Sequence, residues 1–346
     1  MSATAYALLA ILGLAILMVV HEGGHYLAAR RHGMRVTRFS IGFGPTIWKH
    51  RAKGSPTTFQ IAIIPFIAYV QIAGMNPFEE NDPKDKESYA NASLWARIVT
   101  IVAGPLANYF FASILMFFGF VLGGNLVIDE TMRVSIDATG PAAEAGIVTG
   151  DRIRSVNGEA IRNWDELKSI IGAHAGEKLD VEIERGNQTF HVAPTPLADG
   201  QNKGKIMVGP FAQIVPVTIG RAAVLSLTEP PKVVYAVVRG LARIAAGREK
   251  PELVGPVGIV RDTAAAAKDG AHTYFKFLGA LSAYLGAFNL LPFPALDGGR
   301  LLFLGFEAAS RRRADAKVEA KVHAIGLLMF LTLIAFVTYT EVFPKH

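Results

Sequence analysis

Hydrophobic and polar positions along this chain fall into two regimes. Long uncharged runs of membrane-spanning length alternate with shorter stretches in which apolar and charged residues interleave. The uncharged runs cover Met1 to Val20, Ile98 to Ile128, Phe277 to Leu296 and Ala324 to Thr340, each near the ~20 residues that cross a bilayer. They predict four transmembrane helices. The first run lacks a basic leading region and a small-x-small cleavage site before His21, so it is expected to be retained rather than removed as a signal.

Arg30 to Gly74 does not read as another helix, because Gly42, Gly44, Gly54, Pro45, Pro56 and Pro65 punctuate it. Within it, Phe59 to Ile64 and Tyr69 to Ile72 read as short apolar strands, a hairpin or small sheet dipping into the membrane face. An ordinary cytoplasmic loop is the other reading. Asn76 to Asn91 is polar, carries Pro77 and Pro83, and is expected to be a linker. Beyond the second span, Arg133 to Ile136 is strand-like, Val156-Asn157-Gly158 is an Asn-Gly turn between strands, and a helix is expected from about Trp164 to Ala173. Leu179 to Glu184 alternates apolar and charged residues, and Gly186-Asn187 turns it into Phe190 to Val192. Thr218 to Gly247 is helical and amphipathic, broken at Pro230-Pro231, and lies either on a membrane face or in solvent.

Composition agrees with a membrane protein: 346 residues, 51% hydrophobic and 18% charged, with a mean hydropathy of +0.31. Seven Lys/Arg and no acids lie between Arg30 and Lys53, and six Lys/Arg against three acids between Arg300 and Lys321. Both segments are expected on the cytoplasmic side, which puts both termini and the long segment from Asp129 to about Tyr274 outside. The net charge of +6 gathers beside the spans, so it suits an anionic lipid bilayer surface and no nucleic acid. With no cysteine, the chain has neither disulfides nor a thiolate site.

The chemistry begins at His21-Glu22-Gly23-Gly24-His25, at the end of the first uncharged run. Residues four apart share one helix face, so His21 and His25 can turn two imidazoles to one metal while Glu22 points at a metal-bound water. An ionisable side chain within a span costs about 2.5 to 3.5 kcal/mol, and a helix-interior glycine about 1 more. Metal binding offsets that polar cost, and the glycines leave room beside the metal, for another backbone or for substrate. A zinc site needs a third protein ligand. Asp297 is the best candidate: Pro292 and Pro294 before it and Gly298 and Gly299 after it break the third span and let its carboxylate turn to the metal. The competing reading makes Asp297 a helix-end residue at the membrane boundary. The other histidines, His32, His50, His174, His191, His272, His323 and His346, form no second pair at this spacing and are expected at the surface or interface.

Two resemblances follow. Pro141-Ala142-Ala143-Glu144-Ala145-Gly146-Ile147, Gly150-Asp151 and Asn157-Gly158 resemble a PDZ domain of the bacterial type over about 80 residues. The resemblance makes Ile206, Met207, Val208 and Gly209 the candidate peptide-binding strand, for exposed peptide termini added to a sheet edge; the module instead caps the membrane part sterically if that groove stays empty. His-Glu-x-x-His, Gly104-Pro105-Leu106-Ala107-Asn108 and Leu296-Asp297-Gly298, in that order around the PDZ-like insert, resemble the site-2 protease family of intramembrane zinc metalloproteases. Within that family the likeness is to the bacterial branch that regulates sigma-E. It implies one zinc ion per chain held by His21, His25 and Asp297, with Glu22 as general base. It also implies substrate contacts from Asn289 and from the strands bearing Ile61, Ile63, Tyr69 and Val70, while Gly104 to Asn108 reads as packing. The expected fold is a polytopic α-helical membrane protein with about four transmembrane helices, a membrane-associated β-hairpin or sheet, and an inserted PDZ-like α+β domain. Its parts are residues 1–125 and 271–346 as two halves of a membrane core, 126–212 as the PDZ-like domain and 213–270 as amphipathic connecting helices. Expected substrates are single-span membrane proteins such as anti-sigma factors, in the bacterial cytoplasmic membrane, with the active site toward the cytoplasmic side. Two departures stand out: Gly23 replaces a common aromatic, and one PDZ-like module is found where relatives often have two. A non-catalytic membrane scaffold with a structural metal is the alternative, and a metal transporter would need polar residues in several spans.

Overall fold

A computed structural model of the chain describes residues 2–64, 68–76, 82–129, 131–199, 203–248 and 253–343. Pro65, Pro77 and Phe78, and His346, lie outside them. The chain forms two compact units, Met1–Gly123 with Val217–His346, and Gly124–Pro216.

The first unit opens with α1 (Ala3–Arg31), capped by Ser2, whose hydroxyl accepts Ala5 N–H at 3.3 Å, and closed by Arg30 and Arg31 against the helix dipole. The helix continues through the His-Glu-x-x-His residues, as placing both histidines on one helix face expects. A four-stranded sheet follows: β1 (Val36–Ile41), β2 (Phe43–His50), β3 (Thr58–Ile64) and β4 (Tyr69–Ile72), in the order β2-β3-β1-β4. Phe59–Ile64 and Tyr69–Ile72 are both strands of this small sheet, as expected, but they are not paired with each other as a hairpin. The hairpin is β2 with β3, and β1 lies between β3 and β4, parallel to the former and antiparallel to the latter. Every residue of β2 is exposed, and Phe43, Ile47, Trp48, Ile61, Ile63 and Ile64 leave a broad apolar surface open on this sheet.

The segment expected to be a linker packs where it is described. Tyr89 is buried, its N–H donates to Ala73 O at 2.8 Å, and Arg35 donates to Asp85 at 2.6 Å. That guanidinium holds the Asp85 carboxyl below the usual carboxylate range.

After α2 (Leu94–Gly123), the second unit runs β5 (Asn125–Ile128), β6 (Val134–Ile136), α3 (Pro141–Glu144), β7 (Arg152–Val156), β8 (Glu159–Ala160), α4 (Trp164–Ala173), β9 (Val181–Arg185) and β10 (Gln188–Val192). It closes with β11 (Leu197–Ala198), β12 (Gly204–Lys205), β13 (Val208–Pro210) and β14 (Ala212–Val215). Its main sheet is β10-β9-β7-β8, with β13 paired to β6 and β14 to β5. The Asn157-Gly158 turn joins β7 to β8 with both residues at positive φ, 52° and 79°, which is why an Asn-Gly pair sits there. Asn163 caps α4 by accepting Glu166 N–H, and α4 drops Leu167 and Ile171 into a core with Val134, Ile153, Val181 and Ile183.

The chain then returns to the first unit with α5 (Ile219–Ala245), α6 (Pro256–Asp269), α7 (Ala271–Asn289), α8 (Asp297–Ser310) and α9 (Ala316–Val342). Helix α5 runs unbroken through Pro230 and Pro231, contrary to the expected break. Its buried Ala222 and Leu225 join Met116 and Phe120 of α2, and this packing carries it past the two missing N–H groups. Among the described residues, α1, α2 and α9 are long and apolar enough to cross a membrane. Helix α7, on the third uncharged run, has 19 residues and includes Lys276. Helices α1, α2 and α7 approach closely through small residues: a Cβ on Gly279 of α7 would meet Met116 and Ala112 O of α2. Arg97 of α2 makes a two-pronged bond to Glu307 of α8, at 2.9 and 2.5 Å, fixing the helix that begins at Asp297.

Candidate metal centre

The fold brings His21, His25 and Asp297 together from α1 and the first residue of α8. Nε2 of His21 lies 3.1 Å and Nε2 of His25 3.3 Å from Oδ2 of Asp297, and the two nitrogens are 3.2 Å apart. Both histidines are buried, and Oδ2 of Asp297 is a buried oxygen that receives no hydrogen bond among the described residues. Three ligand atoms with lone pairs crowded into such a triangle call for a cation. Ligands at zinc distances of about 2.0–2.1 Å stand about 3.3–3.4 Å apart on a tetrahedron, so this triangle matches one face and leaves the fourth corner for another ligand.

The surroundings set the imidazoles for that role. Nδ1–H of His25 donates to Thr100 O at 2.8 Å, which leaves Nε2 bare for a metal. The Asn108 amide stands with Nδ2 3.2 Å from Nδ1 of His21 and with Oδ1 buried and without a hydrogen bond among the described residues, an arrangement that turning the amide over resolves. With its oxygen on that side it accepts Nδ1–H and frees the second Nε2 in the same way, and amide orientation is set by just this kind of network. Asn108 is fully buried in α2, and the Ser282 hydroxyl of α7 donates to its backbone carbonyl at 2.8 Å. The expectation that Gly104 to Asn108 only packs holds for Gly104, where a Cβ would fall 2.3 Å from Nε2 of His25. Asn108 does more, since its side-chain amide meets the His21 imidazole. Its signal in the sequence is a lone amide inside an apolar span.

Glu22 accepts Val70 N–H of β4 at 2.9 Å on its carboxylate. β4 is the outer strand of its sheet, paired on one side only, with β1. Space beside Gly24 is filled by α2, because a Cβ there would lie 2.2 Å from Ala103 O, whereas Gly23 faces open space. Gly24 thus makes the room for another backbone that the sequence suggests, and Gly23 leaves open space beside the motif. Tyr69 sits beside Val70, its hydroxyl accepting from Gln60 at 3.3 Å, while Ile61 and Ile63 project from β3, two strands away. Asn289 ends α7 and bonds its own helix at Leu285 O, 3.1 Å. In the second unit, the side chain of Ile206 belongs to the core, Met207 is at φ 58°, and Val208 and Gly209 pair through β13 with β6.

Two buried histidines and a partly buried carboxylate that could hold a metal ion, with a glutamate adjoining the first histidine on a helix of membrane-spanning composition, form the kind of group that metallopeptidases of membranes use. The comparison with known sequences gives the family. The profile of peptidase family M50 matches residues 9–333, and the chain belongs to this family, the site-2 proteases, which are zinc metalloproteases. It is 30% identical to the regulator of sigma-W protease RasP of Bacillus subtilis, covering 94% of this chain and 95% of that one. It is 28% identical to the zinc metalloprotease RasP of Geobacillus kaustophilus, with 94% and 95% covered. Among solved structures it is similar to the PDZ domain of an SdrC-like protein from Listeria monocytogenes, at 20% identity and a TM-score of 0.22, over 24% of this chain and 90% of that one.

Proposed function

We propose that the protein cleaves peptide bonds within the membrane-embedded segments of single-span proteins, anti-sigma factors among them, with one zinc ion per chain held by His21, His25 and Asp297. The observation that carries this reading is the triangle of Nε2, Nε2 and Oδ2 at 3.1 to 3.3 Å, with both histidines buried. Bound there, zinc supplies Lewis acidity, lowering the pKa of a water and polarising the scissile carbonyl. Glu22 takes the proton of the attacking water on a carboxylate oxygen and delivers it to the leaving amine. Thr100 and Asn108 hold the imidazoles in the tautomer that binds metal. A substrate helix must first unwind, since its amides are already paired. The outer strand β4 suits an unwound segment, which would add along Tyr69 and Val70, with Asn289 and the apolar Ile61 and Ile63 guiding it. Addition there competes with the bond between Val70 N–H and Glu22, so docking and release of the base are coupled.

The membrane core takes residues 1–125 and 271–346, with α7 as a fourth span: 19 residues rise about 28 Å, close to the ~30 Å hydrocarbon core. Residues 126–212 form a PDZ-like module outside the cytoplasmic membrane, where peptide termini would meet the backbone of Ile206 to Gly209, and 213–270 connect it along the membrane surface. Both termini lie outside and the metal lies toward the cytoplasmic side, as the basic segments require.

In liposomes, cleavage of a single-span test substrate should stop with a zinc chelator and return with added zinc; chelator-resistant cleavage would refute the metal mechanism. Because the chain has no cysteine, Ser169→Cys and Arg312→Cys should each label from one side only, and from opposite sides. Labelling from the same side would remove the proposed topology.

A further inference from the structure

We propose that His323 of α9 positions the carboxylate of Asp297 by holding the turn that precedes it. This rests on reading His21, His25 and Asp297 as the zinc ligands. Between the end of α7 at Asn289 and the start of α8 at Asp297 the chain must reverse within Leu290 to Leu296. It does so through Ala295 at φ 80°, a left-handed conformation that a residue with a side chain keeps only when its surroundings enforce it. Bonds inside the turn, from Phe293 N–H to Leu291 O at 2.7 Å and from Leu296 N–H to Phe293 O at 3.1 Å, shape it without fixing where it stands.

That anchoring comes from α9. Ala295 N–H donates to Nδ1 of His323 at 3.3 Å, across 28 residues of sequence. One helical turn later, Gly326 lies so close to the same backbone that a Cβ would meet Pro294 Cβ at 2.3 Å and Pro294 O at 2.7 Å. The imidazole is largely enclosed, its ring 5.6 Å from that of Phe303 in α8. Accepting on Nδ1 places the ring proton on Nε2, which faces Glu319 Oε1 at 3.8 Å. Two contacts from α9 thus fix Pro294 and Ala295, and Asp297 follows two residues later with Oδ2 at 3.1 and 3.3 Å from the two imidazoles. His323 is a positioning residue: it supplies no ligand and instead sets where the third ligand stands. The sequence reading, which expected this histidine at a surface or interface, had no reason to single it out.

Zinc retention in the purified full-length protein, titrated against a competing chelator, and the visible absorption of the cobalt(II)-substituted protein together test the inference. His323→Leu removes the acceptor at similar volume, and zinc should leave at a chelator concentration about tenfold lower, the usual scale for a group that orients a ligand. Its cobalt bands should shift. His323→Asn keeps an acceptor near the Nδ1 position and should restore both readouts toward wild type, which a packing role alone would not explain. Gly326→Ala, which presses on the same turn, should weaken zinc as well and decides the matter if the leucine variant does not fold. Wild-type zinc retention in His323→Leu, equal losses in the leucine and asparagine variants, or wild-type retention in Gly326→Ala as the surviving test would overturn the inference. A wild-type protein that binds no zinc would refute the ligand reading itself, a distinct outcome.

Discussion

Glu22→Gln should abolish hydrolysis while leaving metal and fold in place. The amide matches the carboxylate in size, and its oxygen can still accept Val70 N–H, the 2.9 Å bond that ties α1 to β4. What it loses is the ability to take a proton from water and return it to the leaving amine. Positioned acid-base groups contribute about 10²- to 10⁴-fold, and here one residue serves both proton transfers, so the loss should lie at the upper end. Initial cleavage rates on a single-span substrate, with zinc content measured on the same samples, check the prediction. An uncleaved substrate beside a full complement of zinc is the expected pair of results. Cleavage at the wild-type rate would remove Glu22 from the mechanism.

Removing a ligand should have the larger effect on the metal. Asp297→Ala and His21→Ala each leave two of three protein ligands, and two do not hold zinc in competition with a chelator. Both variants should purify with little zinc and no activity. The losses need not be equal in stability. Without Asp297 two buried imidazoles face each other at 3.2 Å with no carboxylate between them, whereas without His21 the Asn108 amide loses its partner in the interior of α2. A full equivalent of zinc retained by Asp297→Ala would exclude that carboxylate as a ligand.

The parts of this fold that were legible in the sequence are those that local physics decides. Runs without charge marked α1, α2 and α9 because a bilayer admits little else, and the His-Glu-x-x-His spacing put two imidazoles on one helix face. Asp297 stood out because Pro292 and Pro294 before it end the preceding helix, whereas Gly298 and Gly299, expected to break the chain as well, lie inside α8. The Asn157-Gly158 turn and α4 followed from turn and capping chemistry. What stayed hidden depends on distant partners. Strands β1 and β2 show weak alternation among glycines, and their order in the sheet is decided by pairing across the sheet rather than by neighbours in sequence. The two prolines of α5 looked like a break until its packing on α2 was known. Gly24 was expected to make room for another backbone, but nothing local says that this backbone is Ala103, nearly 80 residues on. Asn108, Thr100 and His323 act through a single bond each to a ligand or to the turn before one, and no spacing rule finds such bonds.

The most direct test of the centre is zinc K-edge X-ray absorption on the purified protein as isolated. One zinc per chain is expected, with nitrogen and oxygen neighbours at about 2.0–2.1 Å and the outer scattering of two imidazole rings. A protein without zinc, or a zinc whose scattering requires one or no imidazole, would contradict the assignment of His21, His25 and Asp297.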